Sequence, residues 1–247
     1  MIEGNAMERH PVETGVPQGS PVSPILFAIY TSGQIKWVED YVSEAEELSF
    51  VDDLGWVATG SDVNHVVSIV ERCAANGIVW ASRRGLQFDT AKTEAALFMR
   101  RRGHQKHLRP QLTAKINVGN QSVRFNTQAT HWLGVLMNAD LTFKEHHNRC
   151  MKRGWAAEAR LRTLTEIYGV VPDSVRAVQV ACVQAVALYR SEVWWDPREG
   201  GRGDDFQLLL NRQARSIRGA LPTTPRGALM RESGFTPAPL ILDSSQL

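Results

Sequence analysis

Two adjacent carboxylates, Asp52 and Asp53, stand inside the stretch S-F-V-D-D-L-G-W, residues 49–56. Apolar residues flank them on both sides: Leu48, Phe50 and Val51 before, Leu54, Trp56 and Val57 after. Like charges side by side repel, and a carboxylate beside an apolar layer is costly unless a positive partner is at hand. Divalent cations are one such partner. Hard oxygen donors of this kind hold Mg²⁺, and a pair of such ions can clamp the attacking and leaving oxygens of a phosphoryl displacement. A D-D pair by itself also occurs as ordinary turn or cap residues. A second candidate is the loop G-V-P-Q-G-S-P-V-S-P, residues 15–24, with three prolines and two glycines in ten positions. Such a loop is stiff and shaped, and on a helix N-terminus it would offer backbone N–H groups to an anion. His146, His147 and Cys150 are close enough in sequence to suggest a metal site, but no second ligand pair completes it.

The elements that must position these residues can be read from periodicity. Residues 48–58 alternate and turn back at the two aspartates, as a hairpin does, and the turn would bring both carboxylates to one edge. After Pro24, Ile25, Leu26, Ile29, Tyr30 and Val38 recur at helical spacing. Ser61 or Asp62 would cap a helix carrying Val63, Val66, Val67, Val70, Cys73 and Ala74 on one face, ending near Gly77 or running on to Gly85. Ala95 to Met99 reads as a short strand, Gly119-Asn120 as the turn of a second hairpin, and His131 to Met137 as a further strand. Beyond residue 141 the pattern is helical, with helices over about 142–167, from Pro172, and through Phe206, Leu209, Leu210 and Ile217. The expected fold is therefore α+β over residues 1–140, followed by an all-α part over 141–247.

The 247 residues carry a net charge of +2, which conceals a segregation. Residues 1–62 hold 2 basic and 11 acidic side chains, whereas residues 100–162 hold 13 basic and 3 acidic. Either two surfaces of opposite sign are solvated, or an acidic cation site precedes a track for a polyanion. Three cysteines, odd in number and widely spaced, do not make a disulfide framework and fit a reducing compartment. No apolar run approaches the roughly 18 residues of a membrane span. With no signal-peptide pattern at the start, an intracellular location is expected, cytoplasmic or nuclear.

In this combination the sequence resembles the reverse transcriptases, in particular those of non-LTR (LINE-like) retrotransposons. G-V-P-Q-G-S-P-V-S-P-I-L-F, residues 15–27, is similar to the family's G-x-P-Q-G-x-x-x-S-P-x-L-F loop and helix. Phe50-Val51-Asp52-Asp53 is similar to its [YF]-x-D-D box, with Phe where many members carry Tyr. Residues 85–98 with Lys92-Thr93, residues 132–143 with the L-G-V and L-x-F elements, and residues 184–196 resemble later segments in the same order. The resemblance implies a partial polymerase palm, an antiparallel sheet with packed helices, and then a thumb-like helical region.

The resemblance also implies roles. Asp52 would be a ligand of both of two Mg²⁺ ions and Asp53 a supporting ligand. Pro17, Gln18, Gly19 and Ser20 would line the pocket of the incoming deoxynucleoside triphosphate and its template base. Lys92 would lie near the triphosphate, although an exposed Lys before a strand is an equally simple reading. Arg100, Arg101, Arg102 and Lys106 of the basic loop, and Lys152 and Arg153 of the following helix with Lys144, Arg149 and Arg160, would follow the backbone of RNA template and DNA primer. Phe50 and Trp56 read as core residues in preference to base-stacking groups.

The family pattern is incomplete in this sequence. A third carboxylate is supplied in the family by a D-x-x-x-A-[FY]-D motif some tens of residues before the P-Q-G loop. Here 14 residues precede Gly15, and their acids Glu3, Glu8 and Glu13 have no comparable context. The expectation is a chain close to inactive by itself, with an exposed palm edge through which it self-associates. The alternative is a non-catalytic nucleic-acid-binding remnant that keeps only the basic track.

Overall fold

The computed structural model describes residues 15–17, 19–98, 115–126, 128–168, 171–198 and 200–245. These residues form two compact units, one of 15–95 with 115–125 and the other of 96–98 with 126–245.

In the first unit α1 (Ser23–Thr31) is followed after Ser32 by α2 (Gly33–Tyr41), where the apolar spacing predicted one helix. Strands β1 (Ala45–Phe50) and β2 (Asp53–Ala58) pair antiparallel with Phe50 opposite Asp53 and Ala45 opposite Ala58. Helix α3 (Val63–Arg83) starts at Asp62, whose carboxylate accepts the His65 N–H at 2.9 Å, so of the two cap candidates, Ser61 and Asp62, the second is the observed one. It runs through Gly77 because that glycine faces the Trp56 ring. A methyl there would come within 2.8 Å of the indole. Val38, Val42, Ile69 and Cys73 form the core of this unit, with Trp37, Ala45, Trp56 and Ala58 packed against them. The second hairpin, β3 (Lys115–Val118) and β4 (Gln121–Arg124), turns at Gly119-Asn120 as expected. Glu71 of α3 holds it by accepting both the backbone N–H and the side-chain amide of Asn117, at 2.7 and 2.8 Å. The predicted strand from Ala95 is reduced, among the described residues, to a single parallel bridge between Ala95 and Phe125.

The second unit begins with a third hairpin, β5 (Thr130–Trp132) and β6 (Val135–Met137), where the sequence suggested one strand. Its two turn residues, Leu133 and Gly134, both have positive φ (46° and 82°), which is what a two-residue turn matched to strand twist requires. Next come α4 (Lys144–Tyr168) and α5 (Pro172–Gln179), a π-helical turn (Val180–Gln184), and α6 (Ala185–Ala187). The chain ends with α7 (Ser191–Trp194), α8 (Gly200–Arg218), α9 (Arg226–Ser233) and α10 (Ala238–Ser244). Trp194, Phe206, Leu209, Leu210, Leu229 and Leu242 are each at most 1% exposed and form the centre of the core. Polar groups are built into it as well. Gln207 of α8 accepts the first N–H of α10, from Ala238, at 2.9 Å and so caps a helix that has no capping side chain of its own.

The architecture is thus mixed, with helices and small antiparallel hairpins, in agreement with an α+β class. No helix among the described residues is long and apolar enough to cross a membrane.

Candidate active site

The two aspartates occupy the tip of the β1–β2 hairpin. Asp52 is in the two-residue turn and Asp53 is the first residue of β2. The residue in the left-handed region is Val51, at φ 56°. A β-branched residue there is a backbone outlier of the kind that costs about 1–3 kcal/mol and persists where surroundings fix it. Both carboxylates are exposed, and among the described residues neither has an ion-pair or hydrogen-bond partner. Adjacent acids without a protein cation are a donor set suited to a hard divalent ion. The set is small, because among the described residues no group of three or more His, Cys, Asp or Glu is placed to hold a metal.

Phe50 is 57% exposed at the same tip. This corrects its expected place in the core, and the reason is its position at the very end of a hairpin whose packed face lies further along, at Trp56. Trp56 does pack as expected. It is half-buried against α3, and its indole N–H donates to Glu47 at 2.9 Å on the paired strand.

The proline-glycine loop is tied to the start of α1 from within. The Ser23 hydroxyl, 8% exposed, donates to the Pro17 carbonyl at 2.6 Å, and the Ser20 hydroxyl accepts the Val22 N–H at 3.4 Å. Gly19 has φ 87° with open space around the missing Cβ, so the glycine is demanded by backbone angle and not by crowding. Pro17 and Gly19 are exposed and Ser20 half-buried. Gln18 lies outside the described residues. Ser23 escaped the sequence reading, since a serine at a helix start is read as a cap and this one makes no cap bond.

Lys92 closes a short 3₁₀ turn, Thr90–Lys92, and its ammonium lies 3.0 Å from the Asp89 carboxylate. That contact raises the Lys92 pKa and lowers that of Asp89. The pair is on the surface, with the Lys92 side chain 84% exposed.

In the second unit Lys152 and Arg153 are exposed on α4. Arg100, Arg101, Arg102 and Lys106 lie outside the described residues. His146 and His147 are 1% and 3% exposed and Cys150 4%. The His146 ring is held by the protein itself: one nitrogen lies 3.1 Å from the Tyr189 carbonyl and the other accepts the Leu136 N–H at 3.3 Å. Burial lowers the pKa of both imidazoles.

A family model described as reverse transcriptase (RNA-dependent DNA polymerase) matches residues 1–137. A curated relative from Drosophila melanogaster, described as a probable RNA-directed DNA polymerase from transposon BS, is 24% identical over 210 residues. That alignment covers 83% of this chain and 22% of the relative, so the chain spans about a fifth of the relative's length. No solved structure matches.

Proposed function

The chain belongs to the reverse transcriptase (RNA-dependent DNA polymerase) family, and on that premise we propose that its hairpin tip is the metal-holding corner of a nucleotidyl-transfer site of the non-LTR retrotransposon kind. Members of the family generally use divalent metal ions, an RNA template and nucleotide substrates. The observation that carries the reading is the pair of exposed carboxylates that have no cationic partner among the described residues, at the end of a hairpin whose turn residue Val51 is held in the left-handed region.

Asp52 and Asp53 would hold Mg²⁺, and two such ions supply charge neutralisation of a triphosphate and activation of a primer 3′-hydroxyl. The loop residues Pro17, Gln18, Gly19 and Ser20 would shape the nucleotide pocket. The Ser23 bond to the Pro17 carbonyl ties that loop to α1. Lys92 would act at the triphosphate only after leaving Asp89, an exchange between exposed partners that costs little. Residues 1–140 would be the palm part and 141–247 the thumb-like part, with Arg100, Arg101, Arg102, Lys106, Lys152 and Arg153 along the backbone of template and primer.

The family's first palm carboxylate has no counterpart in these 247 residues. Two ligands hold metal ions less firmly than three, so a preparation of this polypeptide is proposed to bind Mg²⁺ weakly and to extend primers poorly. Two measurements test this. Mn²⁺ titration followed by electron paramagnetic resonance is expected to show binding that Asp52→Asn abolishes; unchanged binding in that variant would sink the assignment. Primer extension on a homopolymer RNA template is expected to stay at the Asp52→Asn level. Incorporation clearly above it would overturn the inactivity of the isolated chain while supporting the site.

A further inference from the structure

We infer that α1 and the proline-glycine loop ahead of it form one rigid arm, hinged at Ser32-Gly33 and latched to the rest of the first unit by the Tyr30 hydroxyl. The arm is held loosely. Of the nine residues of α1 only Ser23 is buried, with Phe27 and Thr31 half-buried. Helix α2 differs, because Gln34 and Val38 are buried and Val38 belongs to the core. An element with so little burial lies at the low end of local stability and is among the first to detach.

The loop travels with the helix. The Ser23 hydroxyl donates to the Pro17 carbonyl at 2.6 Å, the Ser23 N–H to the Ser20 carbonyl at 3.2 Å, and the Val22 N–H to the Ser20 hydroxyl at 3.4 Å. Pro17 and Ser20 are thereby fixed to the first turn of α1.

The hinge is made of residue types that bend helices. The backbone stays helical through Ser32, at φ -55° and ψ -28°, so α1 and α2 are two segments of one rod. At the joint the Thr31 hydroxyl donates back to the Phe27 carbonyl at 2.9 Å, and the Ser32 hydroxyl to the Ile29 carbonyl at 2.8 Å. Such back-bonding competes with the amide ladder and bends helices, and sharp kinks fall at Gly/Ser pairs. Gly33 faces the buried Trp80 ring, which supports the joint from the α3 side.

The latch is a single hydrogen bond. The Tyr30 hydroxyl donates to the carbonyl of Arg84, the residue that ends α3. Carbonyls at a helix end are left over by the ladder, and this contact is exposed, so water takes the place of either partner when it opens. A bond of that kind shifts the balance between latched and released arms about fivefold, and no further. On the reading of the loop as a wall of the nucleotide pocket, latching holds Pro17, Gly19 and Ser20 in place and release carries them away. That consequence rests on the proposed function, whereas the motion does not.

Pulsed electron paramagnetic resonance on the full 247-residue chain tests the inference, without nucleotide or metal, so it stands apart from the site assignment. Cys73 and Cys150 are buried and Cys182 is exposed, so Cys182→Ser gives a background for labelling. One label pair, Ala28→Cys with Ser68→Cys, spans α1 and α3; the control, Lys36→Cys with Ser68→Cys, spans α2 and α3, and all three positions are exposed. Two distances are expected for the first pair and one narrow distance for the control. Tyr30→Phe is expected to raise the released population about fivefold. Gly33→Ala is expected to lower it about fivefold, because alanine favours the continuous helix and its methyl would meet the Trp80 ring at an ordinary 3.9 Å. A single narrow distance for the first pair, a featureless spread of the kind a melted helix gives, or a distribution that either variant leaves unchanged overturns the inference.

Discussion

At the scale of single residues, two buried or strained groups give measurable consequences. Val51 is 53% exposed and sits at φ 56°. A glycine there loses little burial and removes a steric penalty of about 1–2 kcal/mol, set against its own greater entropy loss of about 0.5–1 kcal/mol. Val51→Gly is therefore expected to stabilise the first unit by up to about 1 kcal/mol, read from urea unfolding. Glu47 is a different case. Burial pushes its carboxyl pKa above the ordinary 4.5, against the pull of the Trp56 indole N–H. Folding then favours the protonated form, so this contribution is complete below pH 4.5 and is lost as pH rises through the folded value. Glu47→Gln is expected to raise Tm near pH 7 and to make no difference at acid pH; an equal gain at every pH would exclude ionisation as the cause.

At the scale of elements, close approaches decide between opposing effects. Gly77 lies within a 21-residue helix, where Gly→Ala should gain about 1 kcal/mol of helix propensity. The new methyl would meet the Trp56 ring at 2.8 Å, an overlap of the kind that costs about 1–3 kcal/mol. The overlap is expected to win, so Gly77→Ala should lower Tm. In the second unit Glu158 of α4 is fully buried and its only neutralising partner among the described residues is Arg212 of α8, at 2.9 Å. Arg212→Ala should destabilise by about 3 kcal/mol by leaving that charge uncompensated. Restoration of part of the loss by a second change, Glu158→Gln, checks the cause in denaturant titration.

Much at this scale was legible beforehand. The aspartate hairpin, the Asp62 cap, the Gly119-Asn120 turn and the start of α5 at Pro172 all follow from local rules that tertiary context left alone. Leu133-Gly134 was legible only in part, because a leucine gives no sign that it will adopt a positive φ. The turn depends on Tyr189, 56 residues away, and such a partner leaves no periodic trace. The same holds for Phe50, whose exposure depends on where along the hairpin α3 makes its contact. The sequence offered the chemistry of the candidate site in Asp52, Asp53 and Gly19, whereas the anchoring of its loop by Ser23 left no signal, because a serine there reads as a helix cap.

For the molecule as a whole, charge and exposed apolar surface govern behaviour in solution. Ile25, Leu26 and Ile29 of α1 are 60%, 49% and 67% exposed. Strands β1 and β2 form a two-stranded sheet among the described residues, leaving edges of the kind through which chains pair. Concentration-dependent association in sedimentation velocity is expected, and Ile25→Gln with Ile29→Gln should reduce it. If the basic track of α4 holds nucleic acid, the logarithm of affinity should fall linearly with that of salt, and Arg153→Gln should lower the slope by about 1.

The contact between Gly134 and Tyr189 bears on how this protein can change over generations. A Cβ on Gly134 would lie 2.6 Å from the tyrosine hydroxyl, so the aromatic ring occupies the space that any other residue at 134 would need. The two positions are bound to one another in descent: relatives with a side chain at the hairpin turn should carry a smaller residue at position 189, in the turn between α6 and α7, and a set of relatives in which the two vary independently would contradict it.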